Sequence, residues 1–225
     1  MDARKLPFAT LVACVGLCLS ALSGPRELLG ATKAEQEPEL AAPEAVALET
    51  LLKEPAAWLG HGVRFTFQFQ SAPESWNPYL TRFGTRDYVA AIAWSDEQLL
   101  WDADEHEHPR ALVFARREGA SGKTLSGAPM YGRYEAVGRV AQVFMGHPWI
   151  EVTALERLPE EIGEGAILHA TRALRSMDQG AWKLALEDLT RAEASNLPPR
   201  ARAELERLRA RCEEARSERR PLGGM

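Results

Sequence analysis

At 225 residues, with 45% hydrophobic and 26% charged side chains, the chain has the balance of one globular domain with room for a small appendage. Wholesale disorder, a polytopic membrane protein and a disulfide-stapled mini-protein are excluded. Lys and Arg number 27 against 32 Asp and Glu, a net charge of −5, so the basic excess of a phosphate-neutralising nucleic-acid binder is missing and no nucleic-acid partner is expected.

Residues 1–23 read as a secretory signal. Arg4 and Lys5 supply the charged start, and Leu6 to Leu22 is almost wholly apolar or small. Ala21 and Ser23 then set small residues at the −3 and −1 positions before Gly24. Two other readings of this stretch stay open. The apolar run reaches the lower limit of a bilayer span and could serve as an uncleaved anchor. Leu11-Val12-Ala13-Cys14 resembles the lipobox of bacterial lipoproteins, which implies lipidation at Cys14. All three readings export the body of the protein to the periplasm or cell envelope, free or held at the membrane. A cut after Ser23 leaves Cys212 as the sole cysteine. Neither an internal disulfide nor a thiolate metal cluster can then form, and apolar packing must hold the fold.

Residues 24–43 are acidic, contain Pro and Ala, and lack periodicity, so they read as a flexible tether. A short helix follows, with Val46, Leu48, Leu51 and Leu52 apolar, until Pro55 breaks it. Val63, Phe65, Phe67 and Phe69 then alternate with Arg64, Thr66, Gln68 and Gln70, the period of a strand with one buried and one polar face. Further strands are expected at Tyr88–Trp94, Ala111–Arg116, Tyr134–Phe144 and Trp149–Leu155. In the last of these, Ile150, Val152 and Ala154 are assigned to one face. The second is apolar at nearly every position and should be central, and Val137-Gly138 suggests a bend. Five short strands closed by Gly- and Pro-bearing loops suggest a small barrel, which removes exposed sheet edges.

Pro55-x-x-Trp58-Leu59-Gly60, followed by Val63-Arg64-Phe65, resembles the opening of OB-fold domains in bacterial exported proteins. Val137-Gly138-Arg139-Val140 and Gly146-His147-Pro148-Trp149-Ile150-Glu151-Val152 resemble their closing hairpin. The resemblance implies an α+β fold over residues 44–160: a five-stranded Greek-key barrel with a short N-terminal helix. The helix that such domains carry between strands three and four would fall on residues 117–130. That stretch holds three Gly and one Pro, and a loop is expected in its place.

Residues 164–217 switch to helical periodicity. Gly180, Trp182, Ala185, Leu189 and Ala192 stand at the spacing of a tetratricopeptide repeat, with Ala173 at the small position of its first helix. His169 and Ser176 occupy that helix's aromatic positions, and Pro198 falls one residue late, so the likeness is to a single degenerate hairpin. A capping helix from Pro199 to Arg216 follows, its apolar face assigned to Ala203, Leu205, Leu208 and Cys212. One repeat cannot bury its own apolar face. It must pack on the barrel, on a second copy or on another protein.

The stretch from Asp102 to His108 alternates carboxylates and imidazoles, ligand types that zinc accepts. In an extended chain Asp102, Asp104, His106 and His108 would share one face; otherwise the segment is an exposed acidic loop. Gly122-Lys123-Thr124 is no phosphate-binding loop, because Arg117 stands where the first glycine belongs. No Gly-x-Ser-x-Gly elbow occurs, and the histidines are scattered. Neither an enzymatic activity nor a cofactor is therefore expected. Trp76, Tyr79, Phe83 and Arg82 in one loop are candidates for ligand binding by ring stacking, or else for the barrel's own lid. Residues 45–160 carry 11 basic and 15 acidic side chains, which favours a neutral sugar or a peptide over a phosphate ligand. Trp182, Ala185 and Leu189 are candidates for helix packing or partner contact. The expected role is an exported scaffold or adaptor that binds a protein or peptide in the envelope. An oligosaccharide-binding module is the alternative, and a metal-dependent hydrolase comes third.

Overall fold

The computed structural model describes residues 42–77 and 79–218. The signal segment, Cys14 and tether residues 24–41 lie outside the described residues. The fold is α+β. In chain order it comprises β1 (Glu44–Ala45), α1 (Leu48–Lys53), a 3-10 turn (Pro55–Trp58), β2 (Gly62–Ser71) and β3 (Tyr88–Ser95). There follow α2 (Ala103–Glu107), β4 (Ala111–Arg116), α3 (Ala120–Ser126), β5 (Arg133–Phe144), β6 (His147–Arg157), α4 (Glu164–Asp178), α5 (Trp182–Glu193) and α6 (Pro199–Glu218).

Strands β2 to β6 close a mixed barrel. Its order is β2-β3-β4-β6-β5, with β5 pairing back onto β2. The β4–β6 pair is parallel and the other four are antiparallel. Closure leaves none of these five strands with a free edge, and it is compatible with the OB-like barrel that the resemblance implies. Inside, Val63, Phe65, Phe67 and Phe69 of β2 meet Val89, Ala91 and Ala93 of β3, Val113 of β4, and Ile150 and Val152 of β6. Leu48 and Leu51 of α1 and Leu125 of α3 join the same core.

Three local expectations are corrected. Residues 117–130 are not simply a loop, since α3 stands there. Gly122 does not break this helix; a Cβ at that position would lie 2.1 Å from the Arg116 carbonyl oxygen, so glycine is what lets α3 sit against β4. In β6, Thr153 is the extra residue of a bulge, because Val137 pairs with Ala154 and Gly138 with Val152. The bulge turns Ala154 outward and brings Leu155 against the core. In α6 the buried stripe is Ala201, Leu205, Leu208 and Cys212, while Ala203 is exposed.

Helices α4 and α5 form a hairpin with α6 packed on α5. Gly180, at φ 69°, closes α4. Its N–H bonds the Met177 carbonyl while the Ala181 N–H bonds that of Ser176, the paired cap that needs a left-handed residue. Ala173, Ala185, Leu189 and Ala192 are fully buried. α5 packs between α4 and α6, and these residues share one continuous buried cluster with Trp94, Leu100, Trp101 and Ile162. Gln68 sits on the nominally polar face of β2, yet it is buried at this seam. Its amide nitrogen donates to the Ile162 carbonyl (3.1 Å) and its amide oxygen accepts from the Ile162 N–H (3.3 Å).

Candidate functional site

The outer face of β3 and β4 carries a second, smaller aromatic cluster. Phe114 is its base, and the loop of residues 72–87 folds over it. Phe83, 1% exposed, stacks on Phe114 at 4.5 Å between ring centroids. Trp76 meets Phe114 edge-on at 5.5 Å and donates its indole N–H to the Phe83 carbonyl (2.6 Å). Trp149 of β6 completes the ring set at 5.4 Å from Phe114. Of the four loop candidates, Trp76 and Phe83 are thus brought together, Phe83 as buried packing. Arg82 lies over the Phe83 ring at 5.7 Å, a cation–π contact. Tyr79 stands away from them, 91% exposed.

Beside this cluster opens a groove of about 360 Å³. Trp76 and Pro73 of the loop, Ile92 of β3, Leu112 of β4, and Pro148 and Trp149 of β6 line it, with Arg110 and His147 among the polar residues. Its wall is mainly apolar. Arg110 is already committed to Glu49 at 3.2 Å. The Trp149 indole nitrogen is buried and has no hydrogen-bond partner, a cost on the order of 1–3 kcal/mol. Pattern reading singled out Trp76 here. Ile92 and Leu112 were legible only as strand residues, because nothing in alternation tells a core face from a groove face.

The Asp102–His108 segment forms the short helix α2 and its two caps rather than an extended strand or a plain loop, so the four side chains proposed as ligands do not share one extended face. Asp102 caps α2, accepting from the Asp104 N–H at 2.9 Å. Asp104 and His108 pair with each other at 3.2 Å. His106 turns to the barrel–helix seam, where its ring lies 5.3 Å from that of Trp94 and its Nε2 is 3.2 Å from the Tyr131 hydroxyl. Among the described residues no three His, Cys, Asp or Glu side chains are grouped to hold a metal ion.

Two buried ion-pair networks brace the barrel. Glu151 accepts from the Tyr88 hydroxyl (3.0 Å) and from Arg139 (3.0 Å). Burial, and then the Glu151 hydrogen bond, push the Tyr88 phenol above its usual pKa. Arg133 grips Asp96 through Nε (2.9 Å) and a second nitrogen (2.5 Å), and Thr66 donates to the same carboxylate at 2.7 Å. The Asp96 hydrogen bonds raise the Arg133 pKa further still. Glu151, Asp96 and Arg133 each have two or more polar partners, so these pairs brace the barrel.

In the helical unit, Ala185 and Leu189 are buried packing residues. Trp182 is half-buried and lines a cleft of about 450 Å³ with Leu174, Met177, Arg211 and Ala215. The Cys212 thiol is buried, and burial raises its pKa, the opposite of an activated thiolate. No helix of the described residues is long and apolar enough to cross a membrane.

Neither a family model nor a curated protein matches the chain. Among solved structures it is similar to a chain described as an aspartyl-tRNA synthetase from Leishmania major Friedlin, at 8% identity and a TM-score of 0.34. The likeness covers 59% of this chain and 25% of that one. It is too weak to carry an argument about function.

Proposed function

We propose that the chain is an exported, non-catalytic binding module of the cell envelope, and that the groove walled by Trp76, Leu112 and Trp149 takes a segment of a protein or peptide partner. The observation that carries this reading is the groove's apolar wall. A sugar needs several convergent donors and acceptors, whereas an apolar peptide side chain is desolvated by the groove as it stands. The position of the groove, between the loop after the first barrel strand and the closing hairpin, agrees with where OB-like barrels take ligands. Helices α4 and α5 read as a single tetratricopeptide-like hairpin that serves this barrel as a brace. Its buried small residues and the glycine cap support that reading.

The test is selection of a random-peptide display library on the full chain, counter-selected on Leu112→Glu. Enriched peptides with an apolar anchor, lost on the variant, are the expected result. If no peptide survives counter-selection while a glycan panel binds and is lost on Trp76→Ala, the oligosaccharide reading replaces this one.

A further inference from the structure

The hairpin joining β5 and β6 ends in an unusual turn. Phe144 pairs with His147, so Met145 and Gly146 alone make the connection. Both have positive φ, 50° and 78°. Two-residue hairpins of this kind favour Asn-Gly or Asp-Gly, because any Cβ is strained there and Asn and Asp tolerate it best. This chain uses methionine, and 78% of it is exposed, with Phe144 partly exposed beside it. The position therefore carries both backbone strain and an apolar side chain in water, two costs that a polar residue would remove together.

The topology places this tip relative to the chain's start. β1 runs parallel to β2, with Glu44 opposite Val63. β2 runs antiparallel to β5, with Gly62 opposite Arg139 and Val63 opposite Gly138. Moving back from Ala45 towards Ala42 is therefore moving along β5 towards Phe144. Ala42, the first described residue, therefore stands at the barrel end from which the tip projects, and 41 residues with an apolar run precede it in sequence. Leu59, half-exposed, sits at the same end, bridged to Val140. Exposed cationic or protonatable groups flank the patch: His61, His147 and Arg82, whose backbone N–H bonds the Gln142 side chain at 3.3 Å.

We propose that this end of the barrel rests on a lipid surface, with Leu59, Phe144 and Met145 entering the interface and Arg82 meeting anionic headgroups. The proposal rests on the export reading above, because that reading supplies a membrane next to the N-terminal segment. It adds a second contact to whatever hold residues 1–23 provide, and it turns the peptide groove into a fixed orientation over the bilayer.

The test places a photoreactive benzophenone amino acid at position 145 of the full chain, and at Leu184 on α5, an exposed apolar residue of the helical unit, as control. Both chains are bound to vesicles of phosphatidylethanolamine and phosphatidylglycerol, and adducts are read by mass spectrometry. The expected result is lipid adducts at 145 about tenfold above those at 184, with Met145→Asn lowering vesicle partition by a similar factor. Lipid adducts no higher at 145 than at 184, on chain that is bound to vesicles, overturn the proposal. In intact envelopes, adducts at 145 to protein alone overturn it too, in favour of a protein receptor for the tip. Fractionation of expressing cells is read separately. A chain found in the envelope without lipid adducts at 145 sinks only this inference, whereas a chain retained in the cytoplasm sinks the export reading with it.

Discussion

Replacing Gly122 by alanine tests how α3 is seated. In a free helix the change would stabilise by about 1 kcal/mol, since glycine is the poorer helix former. Here the new methyl carbon would meet the Arg116 carbonyl oxygen at 2.1 Å and its carbon at 2.8 Å, and both are backbone. Neither can rotate away, so α3 must back off by roughly an ångström to restore normal contact. That movement withdraws Leu125, fully buried, from the core and stretches the Ser121 hydroxyl bond to the Thr153 carbonyl, now 3.1 Å. Overpacking of this kind costs about 1–3 kcal/mol and the hydrogen bond about 1 more, so the steric loss exceeds the helix gain. The expected net effect is a destabilisation of about 1–3 kcal/mol, read as a lower urea midpoint at unchanged m by tryptophan fluorescence. Gly165→Ala is the control: nothing lies within 4 Å of its Cβ position in α4, so it should gain up to about 1 kcal/mol. A Gly122→Ala chain as stable as Gly165→Ala would refute the seating argument.

Removing Asp96 as Asp96→Ala leaves the buried Arg133 guanidinium with only Glu160 at 3.5 Å, and should cost about 3 kcal/mol in denaturant melts. Replacing both partners, Asp96→Leu with Arg133→Met, should recover most of that loss. Tyr134 is buried and its phenol pKa is raised, mainly by burial. Well below pH 10 both states keep the proton; around and above it the unfolded chain releases it first. Stability therefore falls as pH climbs towards the folded-state pKa, and Tyr134→Phe should flatten that alkaline slope in melts at pH 9 to about 11. Met145→Asn relieves the left-handed strain, and should raise stability by about 0.5–1 kcal/mol while weakening vesicle binding. A loss of stability would mean that Met145 packs on the fold.

Much of the barrel was legible because β2 alternates without a slip. Phe65, Phe67 and Phe69 announce an interior, and Tyr88 to Trp94 announces a strand covered on both faces. The failures share a cause: each turns on a contact distant in sequence. Gly122 looks like a helix breaker until the Arg116 carbonyl is in place against it. Gln68 looks solvent-facing until Ile162, 94 residues on, meets its amide. The bulge at Thr153 shifts the inward face of β6 by one residue, and no local pattern registers that. In the candidate site, Trp76 stood out as an aromatic in a loop. The opposite wall was hidden, because Leu112 is an ordinary strand residue until the loop leaves it uncovered. At Asp102 to His108 composition showed two carboxylates and two imidazoles, but not the helix that takes them off a shared extended face.

The paired amide contact between Gln68 and Ile162 has a consequence for dissecting this protein. It pins the segment leading into α4 to β2, and the helices share a buried cluster with Trp94, Leu100 and Trp101. A chain cut at Pro159 would not be a smaller version of the same protein. It would bare two tryptophans and a leucine and strand an amide that had both its donor and its acceptor matched. Proteins captured by such a fragment would report newly created stickiness, and partners lost from it would report a deformed barrel. Mapping by single substitutions along the groove avoids both artefacts.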